Sequence, residues 1–136
     1  MKKKVEDAGL AADFVIASAG TSDEELGAPV YWGTREILDR LGIDYSQKRA
    51  RQITLADYDQ YDLIIGMDAE NIRSLRRLFP RDRGAKVRML LDFTPSPRPI
   101  SDPWYHGDFE KTYREVDEGC DALLESVLRE RTPNRD

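Results

Sequence analysis

The chain has 136 residues, the size of one domain, and its mass of 15.6 kDa leaves no room for two independent cores. It is 40% apolar and 35% charged with a net charge of −5, which gives no general reason to expect nucleic acid or an acidic lipid surface as a partner. One cysteine excludes a disulfide framework and a cysteine-cluster zinc site, one histidine excludes a histidine-rich metal site, and short apolar runs exclude a membrane span.

The start, Met1-Lys-Lys-Lys-Val5, has basic residues with no apolar stretch behind them, so it does not read as a signal peptide and a cytoplasmic location is expected. Phe14-Val-Ile-Ala17 is a short β-leaning run ending at Gly20. Trp32 to Leu41 carries Ile37, Leu38 and Leu41 at helical spacing and stops at Gly42, a natural residue just past a helix end. Thr54-Leu-Ala-Asp57 has the form of a cap with an acid three residues on, so a short helix is expected after it. Leu63-Ile-Ile65 is a second β-leaning run, and Asp68 can cap a helix running to about Leu78 and ended by Pro80. Val87 to Leu91 is a third run. The longest helix is expected from about Phe109 to Leu128, with Tyr113, Val116, Cys120, Leu123, Leu124 and Val127 at steps of three and four. Short apolar runs alternating with helices imply an α/β fold on a short parallel sheet. Residues 1–131 read as one domain, with Thr132 to Asp136 as a loose tail.

Charge is uneven along this pattern. From Asn71 to Leu91 seven bases (Arg73, Arg76, Arg77, Arg81, Arg83, Lys86, Arg88) face one acid, Asp82, whereas Ile100 to Glu130 holds nine acids and three bases. A basic block can bind phosphate or nucleic acid. No aromatics are interleaved here for base stacking, so the better reading is a solvated helix face turned toward the acidic helix.

Few residues could carry chemistry. Cys120 is the only thiol, but it lies mid-stripe in the last helix, where a small apolar side chain fits a core, rather than at a helix N-terminus that would lower its pKa. His106 precedes Gly107 in a loop and reads as solvated. Asp102-Pro103-Trp104-Tyr105 predicts a turn. A carboxyl on such a loop beside two aromatic rings also suits a general acid, since apolar neighbours raise its pKa and the rings can flank a planar group.

In order and spacing, several segments together resemble the low-molecular-weight protein tyrosine phosphatase family. They are Ala8-Gly-Leu10, Phe14 to Ser22, Leu41-Gly-Ile43, Ala50-Arg-Gln-Ile-Thr54, Tyr61 to Asp68 with Asn71, and Asp102-Pro-Trp-Tyr105 followed by Asp108-Phe109-Glu110. The resemblance implies a three-layer α/β sandwich on a parallel sheet of four strands. It also implies phosphotyrosine hydrolysis through a phosphocysteine formed in a Cys-x5-Arg loop, with no cofactor or metal. In that loop backbone N–H groups and a helix N-terminus cradle the phosphate and hold the cysteine as thiolate, and the arginine forks onto phosphoryl oxygens. Asp102 matches the family's general acid, while Trp104 and Tyr105 match the aromatic pair lining the substrate crevice, Trp104 standing where Tyr is usual. Ala17, Glu24 and Gln47 also depart from the family pattern.

No Cys-x5-Arg occurs within the 136 residues, since the position six after Cys120 is Ser126. Aligned backwards from Ala8-Gly-Leu10, Met1 falls inside the family's first helix. The resemblance therefore implies that the first, central strand and the phosphate loop lie upstream of residue 1, and that the chain as given is inactive. The unpaired strand edges left by such a gap would make it unstable alone, or drive rearrangement or self-association. A non-catalytic binding or regulatory protein on the same scaffold is the alternative; arsenate reduction is disfavoured by the absence of further cysteines, and phosphoarginine hydrolysis is not separable from phosphotyrosine hydrolysis.

Overall fold

A computed structural model describes residues 1–21, 32–43, 51–82, 85–101 and 109–131. In chain order they form α1 (Lys2–Asp7), a 3-10 turn (Ala11–Asp13), α2 (Trp32–Arg40), α3 (Leu55–Gln60), β1 (Ile64–Gly66), α4 (Ala69–Leu78), β2 (Val87–Met89), a second 3-10 turn (Leu90–Phe93) and α5 (Phe109–Arg131). β1 and β2 pair in parallel, Ile64 opposite Val87 and Gly66 opposite Met89. A parallel pair needs a crossover, and α4 supplies it.

The two faces of this sheet bury different clusters. On one side Ile64 and Val87 pack with Leu75 and Phe79 of α4 and its end, and Ile53, Tyr58 and Ile72 close around them. On the other, Leu63 and Ile65 join Leu90, Leu91, Ile100, Cys120 and Leu123, with Met1, Val116 and Val127 alongside. Helices thus cover both faces, which is why β1 reads as an unbroken apolar run, while β2 carries the exposed Arg88 between Val87 and Met89. Lys4 fastens α1 to α5, its Nζ lying 2.6 Å from Asp117 and 2.9 Å from Asp121.

The local signals act as the sequence implied. Gly42 has φ +69°, and behind it the Gly42 N–H donates to the Asp39 carbonyl and the Ile43 N–H to that of Leu38. This is the left-handed stop that glycine adopts without a Cβ clash. Asp57 caps α3 by accepting from the Thr54 N–H at 2.7 Å, and Asp68 Oδ1 caps α4 by accepting from the Asn71 N–H at 2.8 Å.

Two expectations fail. Phe14–Ala17 carries no strand, and Val15 is 83% exposed. A strand is a ladder, and among the described residues β1 is paired on one side only, by β2, so this run has nothing to pair with. Among the described residues of this stretch, Gly20 forms a β-bridge, opposite Gln52. The third run also ends early. β2 stops at Met89, because Asp92 accepts from the Met89 N–H at 3.1 Å and Thr94 Oγ1 donates to the Leu91 carbonyl at 2.7 Å, winding Leu90–Phe93 into a turn.

The basic block divides in the same way. Arg73, Arg76, Arg77, Arg81 and Arg88 are exposed, as expected of a solvated face. They do not meet the acidic helix. Among the described residues α5 pairs its acids with Lys4, Arg40, Arg98 and Arg129 instead, since α4 and α5 lie on opposite faces of the sheet.

Candidate active site

In open parallel α/β sheets ligands bind beyond the carboxyl ends of the strands, where loops and helix N-termini converge. Met67 and Asp68 mark that edge here, directly after β1. The turn is stiffened from both directions: Asp68 caps α4 through the Asn71 N–H, and Asn71 Oδ1 accepts from the Met67 N–H at 3.0 Å.

The chain leading to Asp102 returns to this place. The Ile100 N–H donates to the Met67 carbonyl at 2.9 Å, and the Ile100 side chain is buried in the cluster holding Leu90, Leu91 and Cys120. Ser101 is then gripped by α5. Its N–H donates to Glu115 Oε1 at 2.9 Å, and its carbonyl accepts from Thr112 Oγ1 at 2.8 Å. Glu115 is only 7% exposed, and its second oxygen lies 3.3 Å from Arg98 Nε. Arg98 is itself braced by Glu118 at 3.3 Å and by the Ser96 carbonyl at 2.8 Å. Burial pushes the Glu115 carboxyl up, but hydrogen bonds from Ser101 and the charge of Arg98 outweigh it and hold Glu115 below its ordinary value. An open hollow beside this cluster is lined in part by Arg98, Ser101, Lys111, Arg114, Glu115 and Glu118.

A second strut lies between the Gly20 bridge and α3. The Gly20 N–H donates to the Arg51 carbonyl, the Ile53 N–H donates back to that of Gly20, and the Arg51 guanidinium forks onto Asp57 at 3.1 and 3.2 Å. The fork on Asp57, aided by the Thr54 N–H, holds this carboxyl below its usual range despite burial.

Asp102, Trp104, Tyr105 and His106 lie outside the described residues, as do Glu24 and Gln47. What is described is where the chain enters that loop, at Ser101, and where it leaves, at Phe109. Cys120 is placed as the spacing implied, buried in the core between α5 and the Leu90–Phe93 turn and away from a helix N-terminus. The Glu115–Ser101–Thr112 grip was missed. Glu115 falls off the apolar stripe that runs through Val116, Cys120 and Leu123, so the spacing gives it no core position and its burial depends on the contact with Ser101. Among the described residues no helix is long and apolar enough to cross a membrane.

Comparison with known proteins covers nearly the whole chain. The family model described as low molecular weight phosphotyrosine protein phosphatase matches residues 1–133. The low molecular weight protein-tyrosine-phosphatase YfkJ of Bacillus subtilis is 38% identical over 125 residues, 90% of this chain and 80% of that protein. The human low molecular weight phosphotyrosine protein phosphatase is 33% identical over 131 residues, 93% of this chain and 82% of its own. The crystal structure of YfkJ superposes with a TM-score of 0.91, covering 96% of this chain and 84% of that one. With a family model matching residues 1–133 and relatives above 30% identity over nearly the whole chain, the chain belongs to the low-molecular-weight phosphotyrosine protein phosphatase family.

Proposed function

We propose that these residues carry the leaving-group half of phosphotyrosine hydrolysis, on phosphotyrosine proteins or small aryl phosphates. Asp102 is the general acid. It protonates the phenolate oxygen as the P–O bond breaks and then, as carboxylate, takes a proton from the water that cleaves the phosphocysteine. Trp104 and Tyr105 flank the aryl ring. The observation that carries the reading is the Ile100–Met67 hydrogen bond, which roots the Asp102 loop at the carboxyl end of β1.

The nucleophile has to come from a Cys-x5-Arg segment outside the 136 residues. The one thiol within them, Cys120, is a core residue with Ser126 where the arginine would stand. The 136-residue polypeptide is therefore inactive by itself. Among the described residues β1 is paired on one side only, and a second copy can pair on the other, so the chain self-associates.

The test is turnover of aryl phosphates. The 136-residue chain is expected to show none with p-nitrophenyl phosphate, and measurable turnover would overturn the claim of inactivity. A chain with a family-type strand and Cys-x5-Arg loop supplied ahead of Met1 is expected to turn over. There Asp102→Asn should cost about 10²–10⁴-fold in kcat on phenyl phosphate, whose leaving group needs a proton, and much less on p-nitrophenyl phosphate. Equal loss on both substrates would remove Asp102 from the acid role.

A further inference from the structure

The outer side of α4 carries Arg73, Arg76 and Arg77, and Arg81 follows just past its end; all four are exposed. On a helix, positions 73, 76 and 77 fall within about 100° of one another, turned away from the side on which Ile72 and Leu75 enter the core. Among the described residues none of the four makes an ion pair. Arg77 donates to Ser74 Oγ at 3.2 Å. The charge of Arg76 reaches Asp82, but that carboxylate already accepts from the Tyr58 hydroxyl and from the Lys86 and Val87 N–H groups.

α5 is built the other way. Its acids Glu110, Glu115, Asp117, Glu118, Asp121 and Glu125 each lie against a cation of the same molecule. A chain of net charge −5 thus matches its acids on one side of the sheet and leaves arginines unmatched on the other. The acidic helix of a second copy is therefore a poor occupant for this face, because its carboxylates are already taken.

The form of the face selects among other anions. A bilayer is a plane, and it would bring anionic headgroups against the acidic remainder of the molecule. Nor does α4 offer an apolar anchor, since the large exposed apolar residues, Val15, Leu55 and Met67, all lie outside it. Single-stranded nucleic acid is held on aromatic platforms, and α4 contains no aromatic residue. A thin, extended peptide fits better. Arg73 and Arg77 stand one turn apart, about 6 Å along the axis, and alternate side chains of an extended segment repeat at about 6.6–6.8 Å on one side. Guanidinium groups fork onto carboxylates, and a single strand reaches them without approaching the acidic remainder.

We propose that the outer face of α4 docks an acidic protein segment in extended form, with carboxylates at alternate positions paired to Arg73 and Arg77 and with Arg76 and Arg81 flanking them. Arg88 is no part of this face: it stands over the Phe93 ring, 5.1 Å from its centroid, beside the other buried cluster. The docking is independent of the role of Asp102.

The experiment is fluorescence anisotropy on the 136-residue chain with a labelled peptide of about twelve residues alternating Glu and Ser, long enough to span the arginines. Binding is expected at low salt and is expected to weaken as salt is raised, and the same peptide with Gln in place of Glu is expected not to bind. Arg73→Gln with Arg77→Gln should weaken binding about tenfold, while Arg88→Gln, an equal change of charge on the other face, should leave it unchanged. Glutamine is a good helix former, so the double variant is expected to keep its thermal unfolding; should it not fold, Arg77→Gln alone carries the comparison, with about threefold expected. Absence of binding to the Glu peptide, or equal losses in Arg88→Gln and in the α4 variant, would overturn the proposal. So would tighter binding to phosphatidylserine vesicles or to duplex DNA than to the Glu peptide, which would give the face to lipid or to nucleic acid.

Discussion

Asp57 does three things with one carboxylate: it accepts from the Thr54 N–H, it accepts from the Thr54 hydroxyl, and it receives both ends of the Arg51 guanidinium. The cap was legible from Thr54-Leu-Ala-Asp57, because capping is local in sequence. Arg51, three residues before the cap and outside the helix, gave no such signal. Asp57→Ala should cost about 1–3 kcal/mol, since it frees a helix-end N–H and strips Arg51 of its partner. Urea unfolding at pH 7 measures it. Because Arg51 first, and Thr54 after it, lowers the folded pKa of Asp57, its stabilisation is present above the unfolded value of about 3.9 and is lost as pH falls through the folded one. The difference between wild type and Asp57→Ala should therefore shrink below about pH 4. Cys120 was legible for the opposite reason. Spacing alone sufficed, because a helix buries whatever falls on its inner stripe. Glu115 was not, because its charge counts as surface until a partner fourteen residues upstream, Ser101, is seen beside it.

Elements were legible where their ends carry stop signals and illegible where they depend on a distant partner. Gly42, Thr54 and Asp68 set helix limits by themselves. Phe14–Ala17 had the composition of a strand but not the neighbour, and no propensity substitutes for a ladder. The contact between α5 and the Leu90–Phe93 turn shows the same dependence. A Cβ placed on Gly119 would come within 2.5 Å of Leu90 Cγ, a buried branch point with no room to yield. Mid-helix glycine normally costs about 1 kcal/mol against alanine, so propensity alone predicts that Gly119→Ala stabilises. The expected result is the reverse, a net loss of about 1–3 kcal/mol as α5 is forced off the turn. Thermal unfolding of Gly119→Ala against Glu125→Ala, an exposed site on the same helix, separates the two effects.

At the level of the molecule, the two buried clusters meet across the sheet, which among the described residues has the two strands β1 and β2. The layered α/β class was readable because short apolar runs alternate with helices, β1 being apolar on both faces and β2 interrupted by the exposed Arg88. A pairing partner for Phe14–Ala17 was not readable from composition at all, and only the family resemblance implies a strand beside β1 that the described residues do not supply. If that gap is filled by another copy, sedimentation velocity should show mass rising with concentration over the micromolar range. A charged or proline residue at Ile65, facing the open ladder, is not a clean test because Ile65 also packs in the core.

The grip on Ser101 also bears on how such a protein can diversify. Seven residues, 102–108, separate Ser101 from the first residue of α5, and Ser101 is tied to that same helix by Thr112 and Glu115. Both ends of the segment are therefore fastened to one rigid rod, and its span is set without reference to its contents. Closing a loop between fixed ends costs only slowly more as residues are added. The fastening at Ser101 and at the start of α5 is therefore independent of what lies between, so exchanging the intervening sequence is expected to leave the thermal unfolding of the described core unchanged.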